Sequence, residues 1–548
     1  MKTWLPAFAL WASGMGTPWF EEVTEKSGLR FVHRSGHGER FLLPEIMGGG
    51  AALFDMDGDG DLDAYLVQSG SLVAPESSRP RNQLFRNRGD GAFEDVTAGS
   101  GAEGRGYGMG VTAGDYDNDG DVDLYVTNVG PNVLLRNDGG GRFTDVTARA
   151  GAGDPSWSTS AAFFDYDADG DLDLFVANYL HWSQASELAC YSLTGLRDYC
   201  SPKNYDAPAP DTLYRNNGNG TFADVSVEAG LRTAVGTGLG VTVGDFDGNG
   251  KIDVFVANDG MMNQLWLNQG GGRFRDGALL LGCALDEDGK AKAGMGVDAA
   301  DVDDDDDLDL MVVNLDGESD SFYRNHGRYF ADETAAVGLR VASRPFTRFG
   351  MALLDFDNDG WLDLYEANGR VGLQSKLYSS DPFAEPNVLF RGTAAGRFVE
   401  VTPRGGTKEL LVGTSRGAAF GDVNNDGAID VLVVNRDGPA HLLLNRTADR
   451  GHFIRFRVLD EHRRDALGAD VRLSVGSRRL RRAVRVAGSY LVANDPRVHV
   501  GLGSETRVGN VTVRWPDGKE ETFGDFPVDQ EFTLTRGKGG RAVNSPRD

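Results

Sequence analysis

Residues 55–63 read DMDGDGDLD, five aspartates at every second position with glycines among them. Adjacent carboxylates repel by ~1 kcal/mol per pair in water and by more where water is excluded. Such a stretch therefore needs either full solvation or a cation. The motif recurs as DYDNDGDVD at 115, DYDADGDLD at 165, DFDGNGKID at 245, DVDDDDDLD at 301, DFDNDGWLD at 355 and DVNNDGAID at 422. Seven copies in phase make a solvated acidic run an insufficient reading, and their spacing indicates a repeat architecture.

The surroundings repeat as well. A glycine-led apolar stretch precedes each loop (GGGAALF, GMGVTAG, GLGVTVG, GMGVDAA), and a β-branched or aromatic run follows it (AYLVQ, LYVTN, LFVAN, VFVAN, LMVVN). Next come NQLFRN, NVLLRN, NQLWLN and their kin, then a Gly/Asn/Asp turn and a short FEDVT-like segment. Short apolar runs separated by turn residues predict four antiparallel strands per unit.

The seventh unit stops after HLLLNR (441–446) without its FxDVT strand, whereas the chain opens with WFEEVT (19–24), an FxDVT strand without its unit. Complementary half-repeats predict an all-β, seven-bladed β-propeller whose N-terminal strand completes the last blade and removes an exposed sheet edge.

The pattern D-x-D-x-D-G-x-x-D offers hard oxygen ligands on a glycine-permitted turn, which suits Ca²⁺. It begins like an EF-hand but lacks the glutamate at position 12 and the flanking helices. Counting loop positions 1, 3, 5 and 9, the expected ligands are Asp55, Asp57, Asp59 and Asp63 in the first loop and Asp115, Asp117, Asp119 and Asp123 in the second. The third offers Asp165, Asp167, Asp169 and Asp173, and the fourth Asp245, Asp247, Asn249 and Asp253. The fifth offers Asp301, Asp303, Asp305 and Asp309, the sixth Asp355, Asp357, Asp359 and Asp363, and the seventh Asp422, Asn424, Asp426 and Asp430. Two departures stand out. Asp306 replaces the turn glycine, which predicts either a strained turn or an altered affinity, and Asn424 removes a charge at position 3, which predicts a weaker site.

Across 548 residues the formal charge is −27, which argues against nucleic acid or an acidic membrane as partner. From Gly451 onward there are 18 Lys+Arg against 13 Asp+Glu, a net of +5, so the first 450 residues carry −32. That asymmetry places a domain boundary near 450. Up to seven Ca²⁺ would bring −27 to −13. The expected organisation is a signal peptide or unstructured start at 1–18, a propeller at 19–448, a β-rich domain at 449–537 and a disordered tail at 538–548. Cys190 and Cys200 are placed to pair in an oxidising compartment, leaving Cys283 over.

The loop-and-strand unit resembles the FG-GAP/VCBS repeat of integrin-type propellers. ALGADVRL (466–473), GSYLVANDPRVHVGLG (488–503) and VTVRWPDGKEETF (511–523) resemble the ASPIC/UnbV domain. With FVHRSG and LPEIMGGGAALFDMDGDGDLD (43–63), nearly the whole chain is similar to the cartilage acidic protein family, in its bacterial branch. The resemblance implies a secreted, calcium-binding propeller and supplies no catalytic residue.

The resulting expectation is a secreted or periplasmic binding or adhesion module, not an enzyme. The alternative is a polysaccharide lyase or hydrolase, or a natural-product maturation factor. The protein or glycan partner is expected on the face opposite the calcium loops, formed by the connections between second and third strands and between units. Those include the insertions 68–81, 179–211 and 369–386 and the candidate contacts Trp157, Trp182, Tyr205, Arg344, Phe346 and Arg348. Arg88-Gly89-Asp90 and the GTSRG stretch at 413–417 read as turn and strand grammar rather than as adhesion or nucleophile motifs. The basic run SRRLRRAVRV (477–486) reads either as a solvated strand face or as a surface docking on acidic loops or an anionic glycan.

Overall fold

A computed structural model describes residues 16–541. Among these residues each of the seven repeats builds a sheet around four antiparallel strands. A fifth, parallel strand is added to the first sheet, and the outer strand of the seventh is supplied from elsewhere in the chain. Each starts with an inner strand, as in Gly108–Gly114, and steps outward in chain order, as in Asp123–Asn128, Val133–Asn137 and Phe143–Asp145. The inner strands pack against one another in sequence order, and the last, Ser415–Gly421, packs against the first, Ala51–Phe54.

The glycines that lead these strands mark that close approach. A Cβ on Gly50 would lie 2.6 Å from Gly110 Cα, and one on Gly350 would lie 2.5 Å from Ala418 N. Real side chains do not tolerate such distances, so glycine is required where neighbouring backbones converge.

The last sheet borrows its outer strand from the other end of the chain. Phe20–Glu22 pairs antiparallel with His441–Asn445, with Phe20 opposite Asn445. Phe20 is buried and packs edge-on against Phe356 at 5.6 Å and Tyr365 at 6.0 Å, so the exchanged strand also seals the boundary between the sixth and seventh sheets.

After residue 450 the chain forms a three-stranded sheet (His452–Leu459, Val498–Gly503, Gln530–Thr535) and a five-stranded one (Arg478–Ala483, Asp470–Val475, Arg507–Arg514, Glu520–Pro527, Gly540–Arg541). Gly540–Arg541 pairs with Glu521 and Thr522, so these residues of the expected tail belong to the sheet; residues 542–548 lie outside the described part. So does the expected signal segment up to residue 15.

The segment 484–495 leaves this second unit and enters the middle of the strand ring. Val492–Ala493 pairs in parallel with Ala51–Ala52. Leu491 O accepts from Val111 N at 3.2 Å, and Leu491 N donates to Ser160 Oγ at 3.1 Å. Arg485 donates to Thr242 Oγ1 at 3.0 Å, and Ser489 exchanges backbone bonds with Val297. Met351 N donates to Ser489 Oγ at 3.0 Å, and that hydroxyl donates to Ala418 O at 2.9 Å. One strand of each of the seven sheets is therefore bonded to this segment. Tyr490, fully buried, donates to Met47 O at 3.0 Å, where the short helix Leu43–Ile46 arrives from the opposite side. Leu43, Ile46, Met47, Tyr490 and Leu491 share one apolar cluster with Met109, Leu239, Met295 and Phe349. The centre is filled from both ends. Ser489 and Leu491 hold left-handed backbone, at φ 66° and 62°, a strain that persists only because these contacts over-determine it.

Phe20→Ala removes a buried aromatic from the exchanged strand and should cost about 3–5 kcal/mol in chemical denaturation. A loss below about 1 kcal/mol would mean that this strand does not close the last sheet.

Candidate metal centre

Each aspartate loop joins the first two strands of its sheet, and its side chains take three separate roles. The position-9 aspartates begin the second strands and are buried. Asp63 accepts from Met56 N at 2.9 Å and from Asn87 N at 2.7 Å, bonding the loop to the third strand. The same pair of bonds recurs at Asp123, Asp173, Asp253, Asp309, Asp363 and Asp430. The position-5 side chains fold back within the turn. Asp59, Asp119, Asp169, Asn249, Asp305, Asp359 and Asp426 each accept the N–H two residues on, at 2.8 to 3.1 Å.

The position-1 aspartates hold the turn through one oxygen. Asp55 accepts from Gly60 N at 3.1 Å, and Asp115, Asp165, Asp245, Asp301, Asp355 and Asp422 repeat the bond. The residue that donates has positive φ in all seven loops, which glycine supplies freely in six. In the fifth it is Asp306 at φ 75°, the strain expected from the sequence.

Oxygens of Asp55, Asp57 and Asp63 lie within 4.8 Å of one another, as do those of Asp115, Asp117 and Asp123, of Asp165, Asp167 and Asp173, and of Asp245, Asp247 and Asp253. In the fifth loop the converging set is Asp301, Asp303 and Asp305. Position 5 is thus part of the cluster there but not in the first four. Within these clusters Asp57 Oδ1, Asp117 Oδ1, Asp165 Oδ1 and Asp245 Oδ1 are buried without a hydrogen-bond partner. A buried, partnerless carboxylate oxygen is costly. Converging with two further carboxylates, it fits a hard divalent cation.

Burial also pushes several of the loop carboxyls well upward. Asp115 and Asp165 rise to about 6, Asp63 and Asp309 to about 8, and Asp173 to about 9, in each case chiefly through loss of water.

Two sets of residues missed by sequence reasoning complete the site. The first is the asparagine that ends the third strand. Its amide crosses to the position-2 carbonyl of the preceding loop: Asn87 to Val423 at 2.7 Å, Asn137 to Met56 at 2.8 Å, and Asn216 to Tyr116 at 2.8 Å. Asn268 to Tyr166, Asn325 to Phe246 and Asn445 to Phe356 continue the circuit. Only the sixth sheet, with Gly392 at this place, lacks the link. The recurring N at the end of NQLFRN and NVLLRN was the available signal.

The second set is a group of arginines from beyond residue 450, which lie over the loop face. Arg457 meets Asp55 at 3.3 Å, Arg514 meets Asp245 at 3.4 Å, and Arg478 meets Asp304 at 2.6 Å. Arg472 meets Asp306 at 2.7 Å, and Arg464 reaches Asn118 Oδ1 at 2.5 Å and the Gly170 carbonyl. Arg478 and Arg481 come from the basic run, so of its two readings docking on the acidic loops is the observed one.

On the opposite face the insertions meet. Cys190 and Cys200 are disulfide-bonded at the base of a hairpin whose tip exposes Tyr191, Leu193 and Leu196, while Cys283 is free and buried. Leu373 N donates to Asp198 at 2.8 Å, tying 369–386 to 179–211. Of the candidate contacts, Trp157, Phe346 and Arg348 are buried and pack or brace their own loops, and Trp182 and Tyr205 are tied to Glu187. Arg344 is exposed and donates to Gly317 O at 3.0 Å. The RGD triplet is a plain turn, with Arg88 paired to Glu94 and Asp90 accepting from Ala92 N. Ser415, in the elbow-like GTSRG, is buried and donates to Asn435. Among the described residues no helix is long and apolar enough to cross a membrane.

Comparison with known proteins follows this geometry. Residues 55–126, 115–176, 194–256 and 245–312 match the FG-GAP-like repeat, and residues 460–541 match the ASPIC and UnbV family. Cartilage acidic protein 1 of Mus musculus is 26% identical over 336 residues, covering 59% of this chain and 40% of its own length. Cartilage acidic protein 1 of Homo sapiens is 25% identical over 337 residues, covering 57% and 45%. The chain thus spans less than half the length of these curated relatives. Among solved structures, an Agrocybe aegerita lectin that recognises non-reducing terminal N-acetylglucosamine aligns at 16% identity and TM-score 0.36, covering 79% of this chain and 89% of its own. Bacillus licheniformis rhamnogalacturonan lyase PL11 aligns at 15% and TM-score 0.36, covering 72% and 71%.

The raised carboxyls carry a signed pH dependence. A group with a higher pKa folded than unfolded binds more protons when folded. The contribution of these carboxyls to metal-free stability is therefore fully present below about pH 4 and is lost as pH climbs through their folded values of about 6 to 9. Calcium bound at these carboxyls would compete with those protons. The gap between melting points with calcium and with chelator should therefore widen from pH 5 to pH 8. A gap constant across that range would contradict the assignment.

Proposed function

We propose that this chain, an FG-GAP-repeat protein with an ASPIC and UnbV domain, is a calcium-loaded, seven-bladed propeller that works outside the cytoplasm as a binding module. The observation that carries the metal reading is the set of buried, partnerless oxygens on Asp57, Asp117, Asp165 and Asp245, each converging with neighbouring carboxylates. Positions 1 and 3 supply the principal ligands, position 9 adds an oxygen while stapling the loop, and position 5 joins where the turn permits. The ions act as structural counter-charges.

The circuit of inner strands and the borrowed strand Phe20–Glu22 support closure into seven blades. The Cys190–Cys200 disulfide supports an oxidising compartment. Because the domain after residue 450 covers the loop face, a partner has access to the opposite one. There the insertions 68–81, 179–211 and 369–386 form an irregular surface on a rigid scaffold, the usual setting for recognition. The exposed Tyr191, Leu193 and Leu196 would give a protein or glycan partner its apolar contacts. The role is recognition rather than catalysis.

The test combines a metal count with a binding screen. Protein equilibrated with calcium should retain at least five ions per chain. A glycan and matrix-protein array should yield a ligand whose binding is lost when Tyr191, Leu193 and Leu196 are replaced by Ser while the melting point is kept. Fewer than three ions would refute the metal reading, and turnover of an arrayed polysaccharide would refute the binding reading.

A further inference from the structure

Arginines pair with carboxylates of other loops, as Arg391 does with Asp357 at 2.8 Å and Asp359 at 2.7 Å. In the seventh loop, however, a guanidinium pairs closely with the buried position-1 carboxylate itself. Asp422 is fully buried and Arg455 nearly so, at 0% and 5% exposure, with Nη1 2.5 Å from Asp422 Oδ2. The same guanidinium donates to Asn425 Oδ1 at 3.0 Å and to Glu531 at 2.6 Å. Position 3 is Asn424, whose amide nitrogen donates to Asp426 Oδ2 at 3.1 Å. A donor thus replaces one of the two oxygens that the other loops place here, and the remaining Oδ1 accepts from Asp426 N at 3.2 Å. Asp426 also meets Arg446 at 2.9 Å and Arg450 at 3.3 Å, and both oxygens of Asp430 accept backbone N–H groups.

The third loop is the opposite case. Among the described residues no Lys, Arg or His forms an ion pair with Asp165, Asp167, Asp169 or Asp173, and Asp165 Oδ1 has no partner. Guanidinium groups also approach the leading aspartates of the first and fourth loops, at 3.3 and 3.4 Å, yet Asp57 Oδ1 and Asp245 Oδ1 there remain without partners. In the seventh, Asp422 and Asp426 face three guanidinium groups while Asp430 is held by backbone N–H groups, so the paired carboxylates are neutralised without a metal.

We propose that loop 422–430 takes no metal ion, and that the Arg455 guanidinium is its built-in cation and fastens the second domain to the last blade. This rests on the calcium reading of the other loops. Arginine stays charged at any working pH, and its planar fork reaches Asp422 and Asn425 together. A divalent ion bound at Asp422 would sit against that fixed charge in a buried setting, where repulsion is strong. The sequence supplies the cause. Arg446, Arg450 and Arg455 lie where the chain leaves the last sheet, a place that no other repeat has.

Crystals of the unmodified full chain grown with calcium and soaked in terbium should show anomalous peaks in other loops and none within coordinating distance of Asp422. Asp165→Asn should lower the calcium count by about one ion, whereas Asp422→Asn should leave it unchanged. Asp422→Asn should also lower the melting point equally with calcium and with chelator. A peak at Asp422, a lost ion in Asp422→Asn, or a melting loss confined to calcium would overturn the proposal. If no loop holds calcium the map is empty throughout and the calcium reading fails, while the melting comparison still decides whether the arginine clamp exists.

Discussion

Everything in this architecture depends on neutralising carboxylates that the turns force together. A single loop such as 165–173 places five aspartates within nine residues. The chain lowers the cost by giving the carboxylates different tasks. Position 5 shapes the turn, position 9 staples loop to third strand, and one oxygen of position 1 closes the turn on the position-6 N–H. What those bonds do not absorb is left to a cation. In the proposed reading that role falls to calcium in most loops and to Arg455 in the seventh.

The same loops tie the repeats together. Because the third-strand asparagine bonds the preceding loop as well as its own, a loop that loses shape disturbs two blades. A metal bound in these loops would in this way be linked to folding of the whole ring rather than to one turn. The centre adds a second constraint. Glycine backbones converge until side chains no longer fit, and the remaining space is closed by Leu43–Met47 from one side and Tyr490–Leu491 from the other. Two segments 443 residues apart in the chain meet at the centre, so the domain after 450 is part of the ring's core.

How much of this was legible in the sequence follows from what repeats. The strands, the loops, the exchanged strand at 20–22 and the pairing of Cys190 with Cys200 could be read, because each is set by local pattern or by spacing. The strain at Asp306 could be read as well, since one residue type breaks a glycine rule. The central segment could not, because nothing in GSYLVAND signals seven strands waiting to bond with it. Nor could the arginine contacts be assigned, because a basic strand reads alike whether it faces water or carboxylates. Trp157, Phe346 and Arg348 seemed fit for recognition by residue type, yet long loops must bury something of their own, and these residues serve that need.

The measurement that tests this account most directly is a pair of calorimetric scans at pH 7.5, one in millimolar calcium and one in chelator. A ligand that binds only the folded chain stabilises it by ~2.7 kcal/mol at a hundredfold excess over its dissociation constant. Several such sites on one closed ring should therefore separate the two melting points by many degrees, in a single cooperative transition. Coincident melting points would show that the aspartates are neutralised without an ion, and would contradict the account.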